Sequence, residues 1–409
     1  MIPNACADDS RYFVIPLSIQ REGEDYCVGN AELDAFYHFP EAGVRILERL
    51  RAGLDARGIK EELARDSNGH EDAVDVDDFI LTLREIGFVY PQDEQERYRD
   101  AVAANRTGDR RLEFRAPAWF ARALFSPFAL AAYLAILGLA AHAAIEDPRL
   151  RPNLQAFYLE QDLTLTLVLL LLLHGVAVSL HELGHMLAAA RHGIGSRLGF
   201  GNRLWNIVAE ADLSGILALP RSQRYLPLLA GMLVDLLCIA VVTLLLERLL
   251  DRGHTGFPIH LLQALVLQIL VSIGWQFNVF LKTDLYYVVC TRYGHPDLDR
   301  EARSYLRGRL HALSFGLLGE SASPPDRRHL GVLRAFAALW LIGRVAALVF
   351  LFFVLIPTLV RYFERARLAF ADSDPGRAAA YDALAFAAIS LALFAIGAAL
   401  WLRRRREAA

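Results

Sequence analysis

The run His181-Glu182-Leu183-Gly184-His185 sets two imidazoles and a carboxylate at a spacing suited to metal-assisted hydrolysis. On a helix, residues four apart lie about 40° apart around the axis, so His181 and His185 reach one ion from one face. Glu182 stands beside that ion, where a carboxylate takes a proton from water. The setting is apolar: the leucine-rich stretch Leu163 to Leu173 precedes the run, and Met186 to Ala190 follows it. Ionisable side chains in a lipid-spanning helix are costly and are kept mainly for function. That weighs against the plainer reading, a structural pair of histidines.

Such residues need elements to hold them at depth. The chain has 409 residues, 55% hydrophobic and 22% charged, with a net charge of −3. These averages conceal two parts. Residues 1–92 are rich in Arg, Asp and Glu and read as a soluble domain, 93–117 as a basic linker, and 118–409 as a membrane domain. Six segments approach the roughly 20 apolar residues that a bilayer crossing needs: 121–144, 163–190, 225–249, 258–281, 332–360 and 379–402. Arg and Lys crowd the stretches before the first span, after the second and after the fourth, and the tail Arg403 to Arg406 is basic too. By the excess of positive charge on cytoplasmic connections, both termini lie in the cytoplasm of a multi-pass cell-membrane protein. The connection 361–378, with Glu364, Asp372 and Asp374, is the weakest vote. No cleavable signal is expected at Met1 to Ser10. Cys6, Cys27, Cys238 and Cys290 lack paired spacing and read as free thiols, with no cysteine metal cluster and no disulfide scaffold.

This topology puts His181 and His185 in the cytoplasmic half of the second span and asks for a third ligand at similar depth. Two carboxylates qualify. Asp284 follows the fourth span and stands a few residues too shallow, unless the helix breaks near Asn278; such breaks are tolerated where backbone lines a polar cavity. Asp235 lies about ten residues into the third span, closer in nominal depth, and its alternative partner is Arg344 in the fifth. His174, seven residues before His181, shares its face and reads as a histidine hydrogen-bonded within the bundle. Gln276 and Asn278 suit either orientation of a substrate backbone or interhelical hydrogen bonding. The alternation over Leu198 to Ala211 reads as a hairpin that presents substrate as a strand, or as an interfacial loop anchored by Trp205.

Three elements resemble the site-2 protease family of intramembrane zinc metallopeptidases: His181 to Ala188 within a span, Ala211-Asp212-Leu213-Ser214 through Ala230-Gly231, and Leu281-Lys282-Thr283-Asp284-Leu285-Tyr286-Tyr287. The resemblance covers roughly residues 160–290. It implies a zinc ion held by His181, His185 and Asp284, with one position left for water, and Glu182 as general base. Leu285 stands where the family has Gly, Met232 where Pro follows Ala-Gly, and Asp235 where Asn is common.

In the N-terminal part, a strand pair (Tyr12 to Leu17, Tyr26 to Val28) precedes three helical patterns: Val44, Leu47, Leu50; Ile59, Leu63; and Val76, Phe79, Ile80, Leu83, Ile86. The order suggests a small α+β, winged-helix-like module. Asp75 to Val89 resembles the PqqD-like peptide-recognition domains, which implies a leader peptide bound by residues 1–92 on a sheet edge. Nucleic acid is not expected, because the arginines are offset by Glu and Asp and no basic recognition helix occurs. The chain is therefore expected to be mainly α, a polytopic membrane protein with about six transmembrane helices behind a cytoplasmic recognition domain. Its partners would be membrane lipid and a peptide or protein substrate cut during maturation or export. The competing readings are a non-proteolytic peptide-binding or export component on the same scaffold, and a regulatory protease acting on a transmembrane signalling protein.

Overall fold

The computed structural model describes residues 11–66, 75–108, 112–152, 163–203, 206–294, 297–314, 330–357, 360, 364, 367 and 377–407. The chain separates into two units. One comprises Met1–Glu113, Ile194–Arg197 and Asp212–Arg224; the other comprises Phe114–Gly193, Leu198–Ala211 and Tyr225–Ala409.

The first unit opens with β1 (Tyr12–Val14), β2 (Ser18–Glu22), β3 (Asp25–Asn30) and β4 (Ala35–Phe39), followed by α1 (Glu41–Arg51), α2 (Ala56–Asp66), α3 (Val76–Glu85), β5 (Val89–Pro91) and α4 (Gln95–Gly108). The expected pairing of the first strand with Tyr26 to Val28 is not what forms. β1 pairs antiparallel with β5, Val14 opposite Val89, and β2-β3-β4 make a separate antiparallel sheet. Pro16 lies between β1 and β2, and Ser18–Glu22 is mostly polar, so neither the interruption nor the second strand shows as an apolar run. The three helical patterns fold as α1, α2 and α3. They bury Ile46, Leu47, Leu50, Ile59, Ile80 and Leu83 against Ile15, Val28 and Phe88. Asp75 caps α3 by accepting from the amides of Asp77 and Asp78 at 3.0 and 3.4 Å, satisfying donors that the first turn leaves open. The stretch read as a linker holds α4, whose polar, weakly periodic sequence hides it.

In the second unit follow β6 (Leu112–Phe114, on the boundary of the two units), α5 (Ala118–Leu124), α6 (Pro127–Glu146), α7 (Leu163–Ala190), a hairpin of β7 (Ser196–Arg203) and β8 (Asn206–Asp212), α8 (Arg221–Asp251), α9 (Phe257–Gln276), α10 (Asp284–Tyr293), α11 (Leu298–Leu313), α12 (Leu330–Phe350) and α13 (Arg377–Glu407). The parts of β7 and α8 that belong to the first unit are their beginnings. Among the described residues, α6, α7, α8, α9 and α12 are long and apolar enough to cross a membrane. In α13 the described apolar stretch, Leu384–Leu400, is shorter. Helices apolar on all sides fit a lipid solvent, and Phe128, Leu134, Leu172, Val241, Val271 and Ile342 face outward. α7 packs on α9 and α13, and α11 on α12. Trp205 and most of the connection 361–378, all but 364, 367, 377 and 378, lie outside the described residues.

Candidate metal centre

α7 brings the two histidines to one face near its C-terminal end, as the four-residue spacing requires. Two glycines let α8 come close to that face. A Cβ on Gly184 would lie 2.7 Å from Val234 Cγ2 and 3.0 Å from the Ala230 carbonyl oxygen, so the α7 and α8 backbones touch there. A Cβ on Gly231 would lie 2.3 Å from His185 Nε2 and 2.6 Å from His181 Nε2. Small residues at such points are how apolar helices approach without a hydrophobic driving force between them.

The third carboxylate arrives through a break in the fourth apolar helix. α9 stops at Gln276, one 3-10 turn follows over Val279–Leu281, Lys282 adopts the left-handed conformation (φ 55°, ψ 46°), and α10 starts at Asp284. Backbone released by the break is taken up locally. Thr283 Oγ1 donates to the Gln276 carbonyl at 2.7 Å, and the Asp284 amide donates to Gln276 Oε1 at 3.1 Å. Gln276 is thus a brace for Asp284, while Asn278 Nδ2 donates to the nearby Trp275 carbonyl at 3.0 Å.

Three donor atoms converge. His181 Nε2 lies 3.1 Å from Asp284 Oδ2, His185 Nε2 lies 3.2 Å from the same oxygen, and the two nitrogens are 3.1 Å apart. With metal–ligand bonds of about 2.0 Å, neighbouring ligands of a tetrahedral ion stand about 3.3 Å apart, so this triangle matches one face of such a tetrahedron. The outer ring nitrogens are engaged elsewhere. His181 Nδ1 lies 2.8 Å from Asp235 Oδ2, and His185 Nδ1 lies 2.7 Å from the Pro227 carbonyl oxygen. Donation of both Nδ1–H groups outward leaves the Nε2 lone pairs pointing at each other and at a carboxylate. One divalent cation satisfies all three atoms together, so these residues could hold a metal ion. Both histidines are buried, at 7% and 2% exposure.

Asp235 therefore stands behind the ring of His181, on the nitrogen that faces away from the converging donors. It does not pair with Arg344, whose guanidinium lies 4.8 Å from the centre of the Trp340 ring. Glu182 is buried beside the triangle, and its Oε2 accepts the Ala211 amide of β8 at 2.6 Å. That contact ties the hairpin to the carboxylate and had no signal in the sequence. His174 is not among the converging groups; its Nδ1 is enclosed with no hydrogen-bond partner among the described residues, contrary to the expected bond.

A second group, Glu22, Cys27 and His38, was also missed, because its members come from three strands and meet only through the cross-strand register of Cys27 with His38. Its electrostatics disfavour a cation. Glu22 is ion-paired with the buried Arg224, and Arg221 lies 3.5 Å away, so two guanidiniums already outweigh one carboxylate. Burial raises the Glu22 pKa, but the His38 ring and the two arginines overcome it and hold the value at about 2. Burial, with the Glu22 charge, pushes the Cys27 thiol up to about 11, so it is no thiolate ligand. Cys27, Cys238 and Cys290 are free. No protein-family model, curated protein or solved structure matches the chain.

Proposed function

We propose that the chain is an intramembrane zinc metalloendopeptidase that cuts a membrane-associated or precursor peptide during its maturation or export. One observation carries this reading: two Nε2 atoms on α7, a helix apolar enough to cross a membrane, converge at 3.1–3.2 Å with a carboxylate oxygen at the start of α10, with Glu182 adjacent. His181, His185 and Asp284 hold the ion. When bound, such an ion supplies Lewis acidity, lowering the pKa of water and polarising a carbonyl.

The protein's own groups do the rest. Asp235 and the Pro227 carbonyl keep both imidazoles in the tautomer that offers Nε2. Glu182 is anchored through Oε2, which leaves Oε1 to accept the proton of the attacking water and return it to the leaving amine. The motif resemblance to site-2 proteases implies the ligand roles of His181, His185 and Asp284 and the general-base role of Glu182. Each apolar helix reverses direction across the membrane, so the hairpin, the break at 277–283 and the start of α6 emerge on one side, taken as cytoplasmic from the arginine distribution. Exposed Trp275, Phe277 and Tyr287 flank the break, as aromatic residues do at a lipid–water boundary. The edge strands β2 and β4 of the three-stranded sheet suit capture of an extended leader peptide, in keeping with a winged-helix, PqqD-like role.

Elemental analysis of the purified full chain tests the reading. Near-stoichiometric zinc is expected in wild type and in Glu182→Gln, and loss of it in His181→Ala, His185→Ala and Asp284→Ala. Glu182→Gln should then fail to cleave peptides that wild type cuts. A wild type without zinc overturns the proposal; zinc retained without any cleavage leaves a binding or export component.

A further inference from the structure

A metal ligand must be held to within about 0.2 Å, yet Asp284 follows seven residues outside any α-helix, with only one 3-10 turn, Val279–Leu281, among them. Gln276 braces one side only. The other side is held from a helix outside the metal-bearing set. Val279, Phe280 and Leu281 are all buried, and Val279 belongs to a cluster with Leu333, Phe336 and Ala337 of α12. The Phe280 ring occupies the place of a missing side chain at Gly343: a Cβ there would lie 2.0, 2.3 and 2.6 Å from three ring carbons. Lys282 holds a backbone conformation that side chains beyond glycine rarely adopt. Its ammonium lies 3.2 and 3.3 Å from the two oxygens of Asp297 and 3.7 Å from Asp299. Asp299, almost wholly buried, accepts from Trp340 Nε1 at 3.0 Å and pairs with Arg303. Tyr286, in the first turn of α10, donates to Asp297 at 2.9 Å and accepts the Asp299 amide at 3.2 Å.

Phe336, Trp340 and Gly343 fall on one stripe of α12, at helical spacings of four and three. Two independent attachments, an aromatic ring in a glycine notch and an ionic network, therefore join the Asp284 loop to a single helix face. We propose that α12, with the N-terminal turn of α11, is a clamp that sets the position of the Asp284 carboxylate, and that Gly343 and Lys282 are positioning residues of the metal centre. The inference rests on the metal reading above and extends it to a helix that contributes no ligand.

The test uses the full chain in detergent, with Zn2+ affinity measured by chelator competition and coordination followed by the d–d spectrum of Co2+. Gly343→Ala is a favourable change for a helix interior, so lost helix propensity cannot explain a weaker site. It should weaken Zn2+ by about 10- to 100-fold, the range seen when groups that orient ligands are altered, and should change the Co2+ spectrum. Phe280→Ala, which takes the ring out of the notch, should weaken Zn2+ by a similar factor. Lys282→Gln, which keeps length but removes the charge, should weaken Zn2+ as well. Thermal unfolding of the metal-free forms separates this from general damage. Wild-type affinity and spectrum in Gly343→Ala and Lys282→Gln overturn the clamp while leaving the metal site standing. A loss that merely follows the melting temperature of the metal-free forms overturns it as well. Absence of Zn2+ binding in wild type removes the metal reading and the clamp with it.

Discussion

Gly231→Ala is the sharpest test of where the donors converge. The added carbon would stand 2.3 Å from His185 Nε2 and 2.6 Å from His181 Nε2, whereas unstrained contacts of this kind sit at about 3.5 Å. At least one ring must therefore retreat by about 1 Å, several times the tolerance of about 0.2 Å on a metal–ligand distance. The metal-free fold should tolerate the change. Overpacking costs about 1–3 kcal/mol, and exchange of Gly for Ala in a helix returns about 1 kcal/mol of it. Zinc should behave differently, with an affinity loss of about 100-fold or more, which is about 3 kcal/mol. Chelator competition alongside thermal unfolding of the metal-free protein reads both quantities. A variant that binds zinc as wild type does would refute the placement of the ion between those nitrogens, and a parallel collapse of stability would show that the glycine serves packing alone.

Asp235→Asn keeps the shape but weakens the acceptor for His181 Nδ1, so zinc affinity should fall by about 10- to 100-fold without being abolished; complete loss would make Asp235 a ligand. Gly184→Ala should press α7 away from the Ala230 carbonyl and loosen the bonds of both histidines to α8 together. Combined with Asp235→Asn it should cost less zinc affinity than the two single losses added, whereas strict additivity would show that the helix contact and the histidine bond are independent. In the first unit, the fall of the Glu22 pKa from 4.5 to about 2 corresponds to about 3 kcal/mol of stability. Because the folded value lies below the unfolded one, this contribution is complete above pH 4.5 and is lost as pH falls through about 2. Glu22→Gln should flatten that part of the acid-unfolding curve, and an unchanged curve would mean that the pair with Arg224 is not what acid breaks.

What could be read in advance was whatever depended on local spacing. The four-residue interval of the histidines, the apolar lengths of the spans and the alternation over Leu198 to Ala211 each have a period that survives in one dimension. The choice between Asp235 and Asp284 does not. Depth counted along continuous helices favours Asp235, but the 3-10 turn at Val279–Leu281 and the left-handed Lys282 shift Asp284 off that count. The pairing of β1 with β5 is equally silent, since three helices separate Val14 and Val89 along the chain. Glu182 and Ala211 are adjacent for the same kind of reason: a backbone amide carries no sequence signature.

A pattern on α8 becomes intelligible once the pairing is known. Pro227, Gly231 and Asp235 lie at successive four-residue steps, so they form one stripe on the helix. Along it they present a carbonyl oxygen, a space and a carboxylate, opposite His185, the converging nitrogens and His181 respectively. The order is reversed relative to α7 because the two helices run antiparallel. Each position has a separate physical demand. The acceptor at 227 is backbone, so its side chain is free to be proline; the residue at 231 must lack a side chain; the one at 235 must accept strongly from an imidazole buried away from water. Only the last two demands constrain residue type. A chain that kept His181, Glu182 and His185 but carried a side chain at 231 would have the motif without room for the ion, and that makes Gly231, more than the histidine pair itself, the residue that distinguishes a metal centre from two buried histidines.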